Sequence, residues 1–378
     1  MEALKARIKQ EALALGFSLA GVTSPEPPAG YPRYEAWLEA GYHGGMGYLA
    51  SVPGRERRAD PRKILPGCLS IIMLATAYRP ENLPSQDEGE KPRIAAYALG
   101  RDYHLTLVER MHALVARMGE MTTVPFSSKV YTDSGPILER ELARRSGLGW
   151  IGRNSCLIHP QHGSFLFLSE ILVSLELEPD PPFEKDLCGT CRRCIDACPT
   201  GCILENRTID ANRCISYLTI EERGRIQEDL REPIGNRLFG CDTCQDVCPW
   251  NRRFGSSTRD AAFMPRPHLT DPSLPAFLRL NPEAWREPYK ESPLPRAKRT
   301  GLVRNACVVA GNTRDPASIP ALDMALRCDP ESLVREHAAW ALGKIGGADA
   351  IAVLENAMNS ETNRTVCSAI QKALDPLQ

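Results

Sequence analysis

Eight cysteines hold the densest potential chemistry in the chain. Four of them, Cys188, Cys191, Cys194 and Cys198, lie in CGTCRRCIDACP, a C-x2-C-x2-C-x3-C run closed by Pro199. Downstream, CDTCQDVCP (241–249) repeats the later part of that run with Cys241, Cys244 and Cys248, again closed by a proline. It lacks a leading cysteine, which Cys214 supplies across a 26-residue insertion. Soft thiolates converging from tight loops suit iron–sulfur clusters, and in such paired runs the fourth cysteine of each binds the other cluster. The spacing predicts one 4Fe–4S cluster on Cys188, Cys191, Cys194 and Cys248, and a second on Cys198, Cys214, Cys241 and Cys244. Zinc is the rival, because C-x2-C pairs also build tetrahedral sites; the two C-x3-C-P endings favour iron. Cys202 stands outside the eight. Cys68, Cys156, Cys307, Cys328 and Cys367 lie in apolar contexts and read as small core residues.

The run is that of a two-cluster bacterial-type ferredoxin whose second motif is split by an insertion. A second candidate for chemistry is Asp133 in VYTDSGP (130–136), at a strand-to-helix junction. An aspartate before Ser-Gly-Pro serves commonly as a helix cap or turn residue, and an acid in that place can also donate a proton; the residue types leave both open. Gly147, Gly149 and Gly152 match G-x-G-x-x-G. A dinucleotide fingerprint must follow a strand and open a helix. Here the glycines follow a helix and precede strand-like sequence, so we read a loop that brings backbone close to a large cofactor.

The elements around these residues fall into three stretches. Residues 1 to about 180 read as a mixed α/β domain, with strands at LSIIMLAT (69–76) and FLFLSEILV (165–173). Helices are predicted at the N-terminus, over 105–119 and over 136–147. The last has Pro136 at its first position, Glu139 early, Arg144 and Arg145 in its last turn and Gly147 to end it. A proline-rich link (177–184) leads to the cysteine segment, and a second (259–295) leads to the tail. In the tail, LVRNACVVAGN (302–312) returns as LVREHAAWALG (333–343), each followed by a further helix, with a degenerate copy starting near Arg364. Such helix pairs bury their apolar faces only against one another, as HEAT-like repeats do. The domains are thus 1–180, 181–258 and 259–378.

With 378 residues, 43% hydrophobic and 25% charged, the chain can build a large core without disulfide staples. No run approaches a membrane span, and the N-terminus lacks the pattern of an export signal. The expectation is a cytoplasmic protein that uses its 14 cysteines for metal rather than for disulfides.

The segment YTDSGPILERELARRSGLGWIGRNSCLI (131–158), followed by the split cysteine motif and the repeat tail, resembles the epoxyqueuosine reductases over essentially the whole chain. The resemblance implies an N-terminal α/β cobalamin-binding domain, a ferredoxin-like domain with two 4Fe–4S clusters and a C-terminal helical repeat domain. It implies an oxidoreductase that reduces the epoxide of epoxyqueuosine at the tRNA wobble position to the alkene of queuosine. Asp133 matches the family's proposed proton donor. By position in the matching motif, Arg57, Tyr97, Asp133, Arg140, Asn154, Ile158, Gln161 and Ser164 are candidate cobalamin contacts, and Ser216 is a further one from the insertion. The implied partners are the anticodon stem-loop of tRNA and an external electron donor such as a flavodoxin or ferredoxin, with the chain a monomer and no membrane involved.

The formal net charge is −1, so tRNA contact requires a local basic surface. Arg223, Arg225, Arg231 and Arg237 crowd the insertion; Arg286, Lys290, Arg296, Lys298, Arg299 and Arg304 crowd the entry to the repeats. From these, Arg223, Arg225, Arg231, Arg296, Lys298, Arg299 and Arg304 are the candidate tRNA contacts. Two other readings remain at this point. One is a corrinoid reductive dehalogenase. The other is a non-enzymatic ferredoxin-type electron-transfer or corrinoid-reactivating protein, which leaves Asp133 without a role.

Overall fold

A computed structural model of the chain describes residues 2–81, 83 and 91–376. The chain forms two compact units, each assembled from separated segments. One comprises Met1–Pro84, Gly100–Asn212 and Thr243–Met264; the other comprises Ser85–Leu99, Arg213–Asp242 and Pro265–Gln378.

The first unit is built on a four-stranded sheet. Its strands are β1 (Leu19–Thr23), β2 (Ser70–Ala77), β3 (Ser128–Tyr131) and β6 (Leu166–Val173), in the order β1-β2-β6-β3 with every neighbour antiparallel. The apolar run predicted as a strand over 69–76 is β2, buried at every position, and the run over 165–173 is β6. Helices cover both faces, which is why these central strands carry apolar residues on both sides. Helix α3 (Glu139–Arg145) brings Leu142 and Ala143 against Ile71, Met73, Ala75 and Leu172. Helix α2 (Tyr103–Met121) lies on β3 and β6, with α1 (Glu2–Ala14) beside it. Tyr103 of α2 stacks on Phe167 with ring centroids 4.2 Å apart. Because strand side chains alternate, Phe167 and Leu172 point to opposite faces.

Helix α3 starts later than its end signals suggest. Pro136 does not open it; the chain from Thr132 to Leu138 is bent and non-helical, and the helix begins at Glu139. Asp133 takes a left-handed φ of 53°, and Ile137 turns into the core. The C-terminal signals hold: Arg144 and Arg145 occupy the last turn, and Gly147 has φ 81°. After it comes a short hairpin, β4 (Trp150–Ile151) with β5 (Leu157–Ile158). The G-x-G-x-x-G glycines therefore serve a hairpin and not a nucleotide loop. Gly149, at φ 143°, passes so close to Ile158 that an added Cβ would lie 2.1 Å from that residue's carbonyl oxygen.

In the second unit, the tail forms α4 (Lys298–Thr313), α5 (Ile319–Cys328), α6 (Ser332–Ile345), α7 (Gly347–Met358) and α8 (Arg364–Leu374). Helices α4, α6 and α8 pack in succession, with α5 and α7 alongside. Gly301–Gly311 of α4 are all buried, since this helix also packs against the insertion that follows Cys214. The degenerate third copy is a well-formed helix: Asn363 caps it through Thr365 N–H and Val366 N–H. Among the described residues, no helix is long and apolar enough to cross a membrane.

Candidate functional site

Cys188, Cys191, Cys194 and Cys248 line one cavity of about 400 Å³ in the first unit, the set that the spacing assigns to one cluster. Trp250, Pro249, Leu187, Ile158 and Asn154 complete much of its wall. Among the described residues, no three His, Cys, Asp or Glu side chains converge closely enough to hold a single metal ion. Four thiols around one cavity suit a multi-iron cluster.

Trp150 Nε1 donates to Cys188 Sγ at 3.4 Å, the kind of bond that tunes a cluster's potential. Burial, reinforced by neighbouring Cys188 and Cys248, pushes the Cys194 thiol up to about 11, so loading this site displaces protons. The loop is pinned by Arg153 Nη2 donating to Gly189 O at 3.0 Å.

Of the second predicted set, Cys198 and Cys244 belong to the first unit, and Cys214 and Cys241 to the second. Cys202 is buried with its sulfur 3.4 Å from that of Cys198. Its hydrogen bond, with that of Thr200, holds Cys198 down at about 5. Of the five cysteines read as core residues, Cys68 and Cys307 are buried and Cys156 and Cys367 partly so. Cys328 is exposed, a correction: it is the last residue of α5.

Asp133 is not a helix cap. It precedes α3 by six residues, and its carboxylate is 67% exposed. Two neighbours fix it: Tyr103 Oη donates to Asp133 Oδ2 at 2.5 Å, and Asp133 N–H donates to Glu139 Oε1 at 2.8 Å. His104 Nε2 lies 3.9 Å from the same carboxylate oxygen, while its Nδ1 pairs with Asp102, the cap of α2. The next residue of α3, Arg140, donates from Nη1 to Ser155 O at 2.6 Å in the β4–β5 hairpin. Two consecutive residues of one helix turn therefore hold the acid's loop and the wall of the cluster cavity.

The remaining cobalamin candidates are distributed unevenly. Asn154, Ile158 and Ser164 are buried. Asn154 and Ile158 line the cluster cavity, and Ser164 bonds Gln245 and Asn251. Arg57 on its short helix and Gln161 are exposed. Tyr97 and Ser216 belong to the second unit.

Three of the tRNA candidates are corrected by burial. Arg304 is 0% exposed and Arg231 is 1% exposed. Arg304 donates to the carbonyls of Glu222, Gly224 and Leu218; Arg231 pairs with Glu336. Arg299 is nearly covered and pairs with Asp329. A guanidinium saturated by buried acceptors has no donor left for phosphate. Arg223, Arg225, Arg296 and Lys298 are exposed. Arg225 also lines a cavity of about 310 Å³ with Arg364, Thr365, Ser368 and Lys372, two cations that charge crowding did not single out. Arg364, Ser368 and Lys372 recur every four residues of α8, which sets them along one side of that helix.

Comparison with known proteins bears on all of this. A family described as a 4Fe-4S double cluster binding domain matches residues 187–251. One described as epoxyqueuosine reductase QueG, DUF1730, matches 58–134, and HEAT repeats match 300–375. The epoxyqueuosine reductase of Pseudomonas aeruginosa is 40% identical over 90% of this chain and 94% of its own. That of Escherichia coli is 39% identical over 90% of this chain and 89% of its own. A crystal structure of an epoxyqueuosine reductase with an epoxyqueuosine-modified tyrosine tRNA stem loop superposes with a TM-score of 0.91. It is 30% identical and covers 99% of both chains. The Bacillus subtilis enzyme with its catalytic loop swung out of the active site gives 0.90 at 29% identity, covering 100% of this chain and 99% of that one. Of the three readings open in the sequence, only one agrees with these relatives: this chain belongs to the epoxyqueuosine reductases, a family of oxidoreductases.

Proposed function

We propose that this protein reduces the epoxide of epoxyqueuosine at the wobble position of tRNA to the alkene of queuosine, with Asp133 as the proton donor. The observation that carries the reading is the adjacency of Glu139 and Arg140. One tethers the loop bearing an exposed acid; the other tethers the hairpin walling a four-thiol cavity. Acid and electron entry are thereby held by a single turn of helix within one unit.

The donor sets fit the groups the family implies. Cys188, Cys191, Cys194 and Cys248 would hold one 4Fe–4S cluster, and Cys198, Cys214, Cys241 and Cys244 the other. The hairpin and following loop, 153–164, would hold part of a cobalamin, with Asn154, Ile158 and Ser164 buried along it. When bound, these groups supply single electrons and a low-potential cobalt centre. The protein's part is orientation and proton delivery. Asp133 suits proton delivery, because its carboxylate is open to a substrate while Tyr103 fixes one oxygen and Glu139 fixes its backbone. Arg57 and Gln161, exposed in the same unit, are the side chains free to meet a cofactor's periphery. For tRNA, the exposed Arg223, Arg225, Arg296 and Lys298 suit phosphate contact. A flavodoxin or ferredoxin as donor, a monomeric state and a cytoplasmic setting complete the proposal.

Substituting asparagine for Asp133 tests it. The change keeps shape and hydrogen bonding and removes the acid. Turnover should fall by about 100-fold or more, the range for loss of a general acid, while cobalamin and tRNA still bind. Normal turnover in a fully loaded Asp133→Asn enzyme would remove Asp133 from the chemistry.

A further inference from the structure

Taking an epoxide oxygen out as water consumes two electrons and two protons. A single carboxyl delivers one proton before it must be refilled. The structure holds two further carboxyl groups behind the Asp133 loop that the reaction, as read above, does not use.

Glu170 lies at the centre of β6, between Leu168 and Leu172 on the face covered by α3. It is 0% exposed, and neither of its carboxylate oxygens accepts from an N–H or hydroxyl donor; the group it meets is the Glu139 carboxyl. Glu139, at the start of α3, faces it and holds Asp133 N–H. The loop forms the cover: a Cβ added at Gly135 would lie 3.2 Å from Glu170 Oε1 and 2.8 Å from the Tyr131 ring. Among the groups around the pair, Arg140 acts on Glu139 through its positive charge. Tyr131 pairs opposite Glu170 on β3, and Thr132 Oγ1 donates to Leu168 O. Lys129 Nζ donates to Ile64 O, and the Arg140 guanidinium is directed to Ser155. Tyr103 and His104 reach Asp133 from the opposite side of the sheet.

A buried carboxylate without donors costs several kcal/mol as an ion, so such a group keeps its proton. Burial, then Asp133, pushes Glu139 up to about 8. Burial, then Glu139 and Asp133, pushes Glu170 well above the usual range.

We propose that Glu139 and the buried Glu170 form an acid store that positions Asp133 and returns a proton to it, supplying the second proton of each turnover. The proposal rests on Asp133 being the donor. In the step, the Glu139 carboxyl O–H breaks as an O–H forms on the ionised Asp133 carboxylate. Glu139 is refilled by Glu170, and the pair by solvent. One proton moves at each stage and no electrons do.

The test has two independent arms. Infrared pH titration of the full-length protein should reveal a carboxylic-acid carbonyl band at neutral pH that is lost in a Glu139→Gln, Glu170→Gln double variant. This readout needs neither turnover nor a functioning Asp133. In turnover, Glu139→Gln still accepts Asp133 N–H, so loop placement survives. Its kcat should fall about 10- to 100-fold, at the low end for a proton-transfer group, with KM for tRNA unchanged. The wild-type decline as pH rises through about 8 should be absent from this variant, and Glu139→Asp should restore part of the rate. Asp133→Asn, by contrast, should show its loss of about 100-fold or more at every pH and keep the infrared band. If Asp133→Asn is active, the donor reading fails whatever the band does. If the band is missing, or if Glu139→Gln and Glu170→Gln both match wild type in kcat and pH profile, the acid store is refuted.

Discussion

Replacing Arg304 by methionine separates a structural cation from an RNA-facing one. The guanidinium is 0% exposed and donates to Glu222 O at 2.8 Å, Gly224 O at 2.7 Å and Leu218 O at 2.6 Å, with Asn305 Oδ1 at 2.8 Å. Burial, above all, draws its pKa down to about 10. Methionine fills similar space but strands three carbonyls, that of Leu218 buried and those of Glu222 and Gly224 partly so. Each stranded group costs about 1–3 kcal/mol, and removal of the charge's own desolvation cost offsets part of the total. The expected loss is about 3–6 kcal/mol, a large share of the 5–15 kcal/mol typical of a domain. Urea unfolding followed by circular dichroism should show the transition of the repeat unit moving to lower denaturant with its slope unchanged. Below that transition, tRNA should bind as it does to wild type. A wild-type unfolding midpoint combined with lost tRNA affinity would refute the burial argument and return Arg304 to the RNA surface.

Three more outcomes are expected. Anaerobically purified protein should hold about eight irons if two 4Fe–4S clusters form; Cys214→Ala should lose iron and Cys202→Ser should not, and the reverse pattern would undo the ligand assignment. Replacing Arg223, Arg296 and Lys298 together by glutamine should weaken tRNA binding and flatten its salt dependence by about three phosphate contacts, with the loss of the Arg296–Glu221 pair costing stability by about 1 kcal/mol at most; full binding would move the RNA surface elsewhere. Finally, the folded Glu139 keeps its proton up to about 8, where the unfolded carboxyl has lost it from 4.5 upward. Stability should therefore be greatest below about 4.5 as far as this group is concerned, and should decline as pH rises through 8; Glu139→Gln should flatten that slope in urea titrations at several pH values.

The legible parts of the chain were those coded by short-range spacing. The two apolar strands and the paired helices of the tail need only neighbours in sequence and lie where the sequence places them, and Cys188, Cys191, Cys194 and Cys248 line one cavity. The start of α3 was misread because Pro136 is a good first helical residue in isolation. What overrides it is tertiary: Ile137 is drawn into the core and Glu139 is turned back to Asp133. Arg231 and Arg304 were misread because a count of charges does not say which face of a helix packs. Glu170 drew no notice, although a lone carboxylate within the apolar run FLFLSEILV carries a signal: Glu is almost never fully buried without a partner. Its relation to Glu139, 31 residues away, exists only once β6 and α3 are in place.

Strand β6 reaches Asp133 from both of its faces. On one face Phe167 supports the ring of Tyr103, whose hydroxyl holds the carboxylate. On the other, Glu170 lies under Gly135 and against Glu139, which holds the backbone. A slip of one residue in the β6 ladder would exchange these faces, putting Leu166 or Leu168 under the tyrosine and Ser169 or Ile171 under the glycine. The place of an exposed, loop-borne acid is thus inherited from pairing between β2, β6 and β3. Amide hydrogen exchange should reflect that inheritance: the 132–138 loop exchanges by local opening, whereas the amides of β6 that set its target position exchange only when the sheet itself unfolds.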